Sequence, residues 1–214
     1  ITSGSKNVAI GFCAMFSANV TGAYNLAFGH YASCRLTSGN NNVAVGTCAG
    51  RKNQTGSGNV HLGPNAGCNN QGSGNIMIGE DSGRGIGGHN NNIFIGKYAA
   101  CAQSQGSCNI AIGCHVCLAI CSGTGSSNQL AIGVGGDRWI VGNCDYNVGI
   151  GTTNPSSRLS VAGDACVTGV ITAANFAKAD GSSLGGFSAD SQENLYAGTS
   201  AGAASDSDTC FNVA

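Results

Sequence analysis

The clearest pattern in the chain is a pentapeptide in which asparagine precedes an aliphatic residue, a variable residue, a second aliphatic residue and glycine. It reads NVAIG from Asn7 and NIAIG from Asn109, with further copies between them. Two aliphatic residues on either side of a third have the period of two that is typical of a β-strand. The pieces between glycines are too short for an ordinary helix. We therefore predict coils made of two short strands and two turns.

The asparagines of these pentapeptides recur at a nearly fixed spacing of 18, 17, 17, 16, 17 and 17 residues. A fixed period is typical of a solenoid, in which each unit packs only on its neighbours. We predict an all-β fold, a parallel β-solenoid with about 17 residues per coil. Stacked asparagines would form a ladder whose amides bond along the axis and close the turns. The ladder comprises Asn7, Asn25, Asn42, Asn59, Asn75, Asn92 and Asn109.

The middle residue of the pentapeptide is never charged, although it varies between Ala9, His61, Met77 and Phe94. A position that faces water would carry a charge in several copies. We therefore expect this position to face another protein surface, while stacked coils cover the aliphatic residues on either side of it. Trimerisation about the long axis is the simplest closed arrangement. We predict a parallel homotrimer whose chains are intertwined or lie side by side.

The period is lost after Asn147 and returns as NLYAG from Asn194. The section between them contains Pro155, which cannot donate a hydrogen bond to a central strand ladder. We therefore predict three parts: a solenoid of repeats, a small β connector, and the start of a second solenoid block. Their bounds are residues 1–146, 147–190 and 191–214.

Composition and charge narrow the range of functions. Charged residues are 9% of the chain, against roughly 25% in an average soluble protein. The net charge is -1 and no basic run is present, so we expect no nucleic-acid partner. No run of about 18 apolar residues occurs, so we expect no membrane insertion. The first and last residues both fall inside a repeat, and we expect the sequence to be a segment of a longer protein.

Five of the 12 cysteines recur at two positions of the repeat. Cys13 and Cys48 lie two residues after the glycine that ends a pentapeptide, and Cys34, Cys68 and Cys101 lie five residues after it. One interpretation is that they are thiols that pack as small, polarizable hydrophobic groups. The alternative is a set of disulfides between coils, such as Cys13–Cys34 and Cys48–Cys68, formed in an oxidising setting. Both interpretations stay open, because connectivity does not follow from sequence.

One further cluster has side chains of the kind that bind metals, namely Cys114, His115, Cys117 and Cys121. A C-x-x-C pair can hold zinc, but a matched second pair is missing. We therefore predict no metal and no cofactor, with these four residues as weak candidates. The histidines have no nucleophile at a repeated spacing, and paired carboxylates are missing. We predict no catalytic residues and no enzyme activity.

Two parts of the sequence resemble known families. The NVAIG-type repeats resemble the left-handed parallel β-roll of the YadA-like head in trimeric autotransporter adhesins. The strings GIGTTNP from Gly149 and DGSSLGG from Asp180 resemble modules in long tail-fibre proteins of tailed phages, especially those of marine cyanobacteria. The second resemblance implies a structural segment of a virion appendage, outside the cell, that serves host attachment.

The same resemblance implies the partners of the chain. They would be its own copies in a homotrimer, other fibre or baseplate proteins, and a host cell-surface receptor contacted outside this segment. The first resemblance leaves an alternative open. The chain would then be a bacterial trimeric surface adhesin, located at the cell surface, whose β-roll binds a host or matrix ligand.

Overall fold

The computed structural model describes most of the first 168 residues and the backbone of two short pieces beyond them. These parts are residues 4–85, 87–100, 106–118, 127–168, 188–189 and 195–196. The chain divides into two compact units, residues 1–165 and 166–214. All regular secondary structure in the described parts is β-strand. The prediction of an all-β parallel solenoid with about 17 residues per coil is confirmed for the repeats.

Eleven short strands of the first unit form one sheet, in which strands follow one another in chain order. Eight of them are the centres of the pentapeptides and run parallel: β1 Val8–Ile10, β2 Leu26–Phe28, β3 Val43–Val45, β4 Val60–Leu62, β5 Ile76–Ile78, β6 Ile93–Ile95, β7 Ile110–Ile112 and β8 Leu130–Val134. The remaining strands are β9 Asp137–Gly142, β10 Val148–Ile150, β11 Leu159–Val161, β12 Ser188–Ala189 and β13 Leu195–Tyr196.

The parallel strands pair at equivalent repeat positions. Ala27 is opposite Ala44, and His61 is opposite Met77. This register places every repeat position in a column that runs along the stack. Side-chain contacts between coils are therefore contacts between equivalent positions, or between positions a few residues apart in the repeat.

Each complete coil contains one strand, so the expected second strand is wrong for the described coils. The reason lies in the backbone after the strand. In the third coil, Cys48 and Gly50 have φ values of 58° and 56°. The N–H of Ala49 bonds to the Gly46 carbonyl and that of Arg51 to the Cys48 carbonyl, both at 3.3 Å. Alternating left-handed residues thus produce consecutive turns where an extended strand was expected.

From the second copy onward, the middle residue of the pentapeptide lies in the interior of its own coil, so the expectation that it faces another subunit is wrong for these copies; Ala9, in the first strand, is exposed. Ala44 and Ala111 have no exposed surface in the single chain. The position is uncharged because the coil closes over it and excludes water. This inner column comprises Ala27, Ala44, His61, Met77, Phe94, Ala111 and Ala131, none more than 2% exposed.

The aliphatic residues on either side of the middle position point outward, because neighbouring residues of a strand face opposite sides. Stacking covers them only in part: Ile10 is 54% exposed and Phe28 is 51% exposed. Together they form an apolar surface along the sheet, which we call the outer aliphatic face. Its residues are Val8, Ile10, Leu26, Phe28, Val43, Val45, Val60, Leu62, Ile76, Ile78, Ile93, Ile95, Ile110, Ile112, Leu130 and Ile132.

Large residues of the inner column are accommodated by glycines of the turn that follows the strand. A Cβ atom on Gly67 would collide with the His61 ring and lie 2.8 Å from the Met77 sulfur. A Cβ atom on Gly83 would lie 2.9 Å from the Phe94 ring. The missing side chains of these glycines therefore leave the space that His61, Met77 and Phe94 occupy, in keeping with a close-packed interior.

The parallel order ends at β9. This strand turns back from β8 as a hairpin and pairs antiparallel with both β8 and β10, after which β10 and β11 are parallel to each other. The change occurs before residue 147, where the connector was expected to begin. The bounds of the three predicted parts stay predictions. In the second unit, β12 pairs antiparallel with β13, and the expected return of the repeat falls mostly outside the described residues.

The glycine packing yields a matched test. We expect Gly67→Ala to lower the free energy of unfolding by about 3 kcal/mol, because a Cβ atom both strains a left-handed backbone and overpacks the interior. Gly58 also has a positive φ, of 68°, but its nearest neighbour would be 3.9 Å from an added Cβ atom. Gly58→Ala should therefore cost only about 1 kcal/mol. Chemical denaturation measures both, and equal losses would contradict the packing argument.

Candidate functional site

The asparagines of the pentapeptides form a continuous hydrogen-bonded column. The Oδ1 atom of Asn42 accepts two bonds from Asn59, one from the backbone N–H at 3.0 Å and one from Nδ2 at 3.0 Å. The backbone bond recurs at every step from Asn7 to Asn109, and Gln129 extends the column by donating its N–H to Asn109 Oδ1 at 2.9 Å. The structure thus brings the seven predicted ladder residues together.

The same carboxamides also close the coils. Nδ2 of Asn42 donates to the Gly56 carbonyl at 2.8 Å, and Nδ2 of Asn59 donates to the Gly72 carbonyl at 2.8 Å. Each of these bonds joins the beginning of a coil to its end. From Asn25 to Asn109 the column is at most 2% exposed. Because its polar groups are buried and directed at one another, the column is a structural element and offers no surface to a ligand.

Two further buried amides, Asn53 and Asn70, lie beside the column. Asn53 Oδ1 accepts the Gly56 N–H at 2.9 Å, and Asn70 Nδ2 donates to Asn59 Oδ1 at 3.2 Å. Neither residue was expected from the sequence. The equivalent position of an earlier coil is Leu36, which is also fully buried. Other coils have Ala18, Ile86 and Gln103 at this position of the sequence, so amides and apolar residues are mixed there and no regular period points to the amides.

His61 is the most unusual residue of the interior. Its ring is fully buried, and its Nε2 atom is 3.0 Å from Asn70 Nδ2. Since the amide nitrogen can only donate, Nε2 accepts and the ring proton is on Nδ1, which has no hydrogen-bond partner. Burial lowers the pKa of His61 from 6.5 to about 4. The ring is therefore neutral near pH 7 and acts as a large core residue.

The cysteines that recur in the repeat are free thiols where the structure describes them. Cys13, Cys34 and Cys48 are half-buried and Cys68 is buried. Disulfides Cys13–Cys34 and Cys48–Cys68 are therefore not formed here, and Cys101 lies outside the described residues. Burial raises the pKa of the Cys68 thiol. A thiol that resists ionisation is a poor nucleophile and a poor metal ligand.

One cysteine outside the repeat positions behaves differently, since Cys144 is disulfide-bonded. Its role was not expected from the sequence. It lies after β9, where the regular repeat has ended. Without a period, no spacing distinguishes it from the other cysteines.

The weak metal candidates do not assemble into a site in the part of the chain that is described. Cys114 is exposed, and the Cys117 thiol lies 3.8 Å from the His115 carbonyl. The His115 ring packs on Tyr98, with ring centroids 4.5 Å apart. Cys121 lies outside the described residues. Among those that are described, no three metal-ligating side chains are grouped.

The asparagine column predicts a large loss of stability when one of its amides is removed. Asn59→Ala should lower the free energy of unfolding by about 3 kcal/mol or more, because buried N–H and C=O groups of Asn75 and Gly72 lose their partner. Asn69 is a suitable control, since it is half-buried and its side chain makes no hydrogen bond within the described chain. Asn69→Ala should cost less than about 1 kcal/mol. Urea denaturation would contradict a structural column if the two losses were similar.

The pKa of His61 predicts a loss of stability in mild acid. The unfolded chain binds a proton at His61 below pH 6.5, whereas the folded chain does so only near pH 4. The contribution of His61 to the free energy of unfolding is therefore constant above pH 6.5 and falls by about 3 kcal/mol between pH 6.5 and 4. His61→Met, which places the residue type of Met77 in the neighbouring coil, should remove this fall. Thermal unfolding at several pH values measures it, and the same slope in both proteins would contradict the prediction.

Comparison with known proteins adds no relative. No protein-family model, no curated protein and no solved structure matches the chain. In the parts that the structure describes, no helix has the length and apolar character needed to cross a membrane. A function must therefore be argued from the repeat, its fold and its surfaces.

Proposed function

We propose that the chain is a structural segment of an extended fibre, most simply a phage tail fibre or another virion appendage, and that it assembles as a parallel homotrimer. The observation that carries the proposal is the in-register stack of equivalent coils. Seven steps between the eight parallel strands give a rod of about 34 Å. Such a stack supplies length and stiffness, and we assign it a mechanical role and no reaction.

The outer aliphatic face supports the homotrimer. It runs along all eight parallel strands, and the third residue of several of them is more than a third exposed, as at Ile95 and Ile112. Contiguous apolar surface of this extent is typical of a protein–protein interface. A rod with one apolar side is covered most simply by equivalent rods around a common axis. The interface therefore belongs to the outward aliphatic residues, while the inner column stays within each chain.

A pair of lysine substitutions tests the assembly. Ile95→Lys should convert the trimer to monomers, because three charges would be buried near the axis without partners. Gln54 is exposed in a turn and away from this face, so Gln54→Lys should leave the trimer intact. Analytical ultracentrifugation reports the mass, and circular dichroism confirms that the coils stay folded. If the wild-type chain is a monomer, the proposed trimer is wrong, while the assignment of the solenoid fold stands.

The biological setting needs a separate experiment. Antibodies against the full chain, applied as immunogold to a culture that produces it, should label appendages of virus particles. Labelling of the bacterial surface would favour the alternative, a trimeric surface adhesin. This alternative draws on the exposed rings of Phe12 and Phe16, which are 66% and 74% exposed and leave contact surface on the solenoid itself. Labelling confined to the cell interior would contradict both.

A further inference from the structure

Four positively charged residues lie in the same part of the repeat, in the turn that follows the strand. Arg51 and Lys52 lie five and six residues after Gly46, the glycine that follows β3, and Arg84 and Arg35 occupy the same two positions in other coils. We call these four residues the basic corner. They are four of the nine lysines and arginines in the chain. Almost half of the cations of this charge-poor chain thus lie at two adjacent positions of the repeat.

Backbone bonds show that the members of the basic corner are stacked. The N–H of Arg35 bonds to the Arg51 carbonyl at 3.2 Å, and the N–H of Lys52 bonds to the Cys68 carbonyl at 2.9 Å. Arg84 belongs to the next coil beyond Cys68. Burial raises the pKa of the Cys68 thiol, whereas the nearby positive charges of Arg51, Lys52 and Arg84 lower it. The corner therefore spans four successive coils.

Most of this charge has no counterion within the described chain. Arg84 pairs with Asp81, at 3.4 Å between NH1 and Oδ1. Arg35, Arg51 and Lys52 take part in neither of the two ion pairs among the described residues. The Nε atom of Arg51 is buried without a hydrogen-bond partner. Three adjacent cations without carboxylates favour an anion supplied by a ligand.

Aromatic rings lie next to the basic corner. The Arg51 guanidinium is 5.7 Å from the centre of the Tyr31 ring. Tyr31 is in edge contact with Phe12 and His30, and Phe12 stacks on His30 with ring centroids 5.4 Å apart. Flat ring faces beside unpaired cations suit a ligand that has both apolar C–H faces and negative charges. Sugar rings that bear carboxylate or sulfate groups have this combination.

We propose that the basic corner and the adjacent aromatic rings bind an anionic polysaccharide that lies along the solenoid axis. Successive coils are about 4.8 Å apart, and one sugar unit advances a polysaccharide by a similar distance. The spacing of the coils is thus similar to the spacing of the sugar units, although the coil of Cys68 contributes no cation. Double-stranded DNA has one charge per ~1.7 Å of axis, and tight binding to it uses about six or more phosphate contacts. The three cations without a carboxylate partner fit the sparser polymer better.

The test uses the full chain and polygalacturonate, which carries one carboxylate per sugar. Arg35→Gln/Lys52→Gln removes two unpaired cations from the basic corner without touching the core. Lys6→Gln/Lys97→Gln removes the same charge elsewhere, from exposed lysines that contact Tyr24 and Glu80. We expect binding at low ionic strength that weakens by about tenfold in the first variant and stays within about twofold in the second. Unchanged thermal unfolding confirms that both are folded.

Further binding measurements distinguish the proposed ligand from other anions. Neutral dextran should not bind, and added salt should release polygalacturonate because the attraction is electrostatic. Equal loss in both double variants would overturn the basic corner as the site. Tighter binding of an oligothymidylate or of phosphatidylserine vesicles than of polygalacturonate would overturn the assignment to polysaccharide. No binding of polygalacturonate at low salt would overturn the proposal, while the fibre assignment would stand.

Discussion

Each coil is fixed to the next by a side-chain amide that makes contacts in three directions. The Oδ1 atom of Asn42 receives the backbone N–H and the Nδ2 of the following asparagine, while its own Nδ2 holds the carbonyl of Gly56. A single coil has no such partner above or below. It would expose its inner column and leave its amides to water. The rest of the structure follows from this dependence, since the strand register, the turns and the closed interior all require a neighbour at the correct height.

The backbone stores strain in the same columns. The residue before each column asparagine has a positive φ even where it is not glycine, as in Tyr24 at 59° and Cys108 at 61°. A left-handed backbone costs about 1 kcal/mol or more for such residues. Hydrogen bonds between coils offset this cost. The N–H of Tyr24 bonds to the Ser5 carbonyl at 3.1 Å, and that of Cys108 bonds to the Asn90 carbonyl at 3.0 Å. Asn or Gly, each of which adopts these angles readily, occupies the position in four of the seven copies, and the stack imposes the same angles on Lys6, Tyr24 and Cys108.

The fold was predictable from the sequence wherever a feature repeats. The period of asparagine sets the strands and their register, and it places Asn42 and Asn59 in one column. The sequence does not show which side of the strand faces the interior, because both sides are apolar. Ala44 on one side is as uncharged as the valines on the other. Only closure of the coil decides which side is internal. Asn53 and Asn70 share a repeat position with apolar residues such as Leu36, and the buried ring of His61 occurs once in its column, so neither feature has a regular period that the sequence could show.

The hairpin of β8 and β9 has a consequence for growth of the stack. A parallel ladder of equivalent coils presents at its end the same donors and acceptors that join any two coils, so it is a template for a coil from another molecule. β9 runs in the opposite direction and is paired on both sides, with β8 and with β10. The backbone donors and acceptors beside the last parallel coil are therefore already used within the chain, in an antiparallel pattern that a further equivalent coil does not have. The reversal thus ends the ladder of equivalent coils at β8.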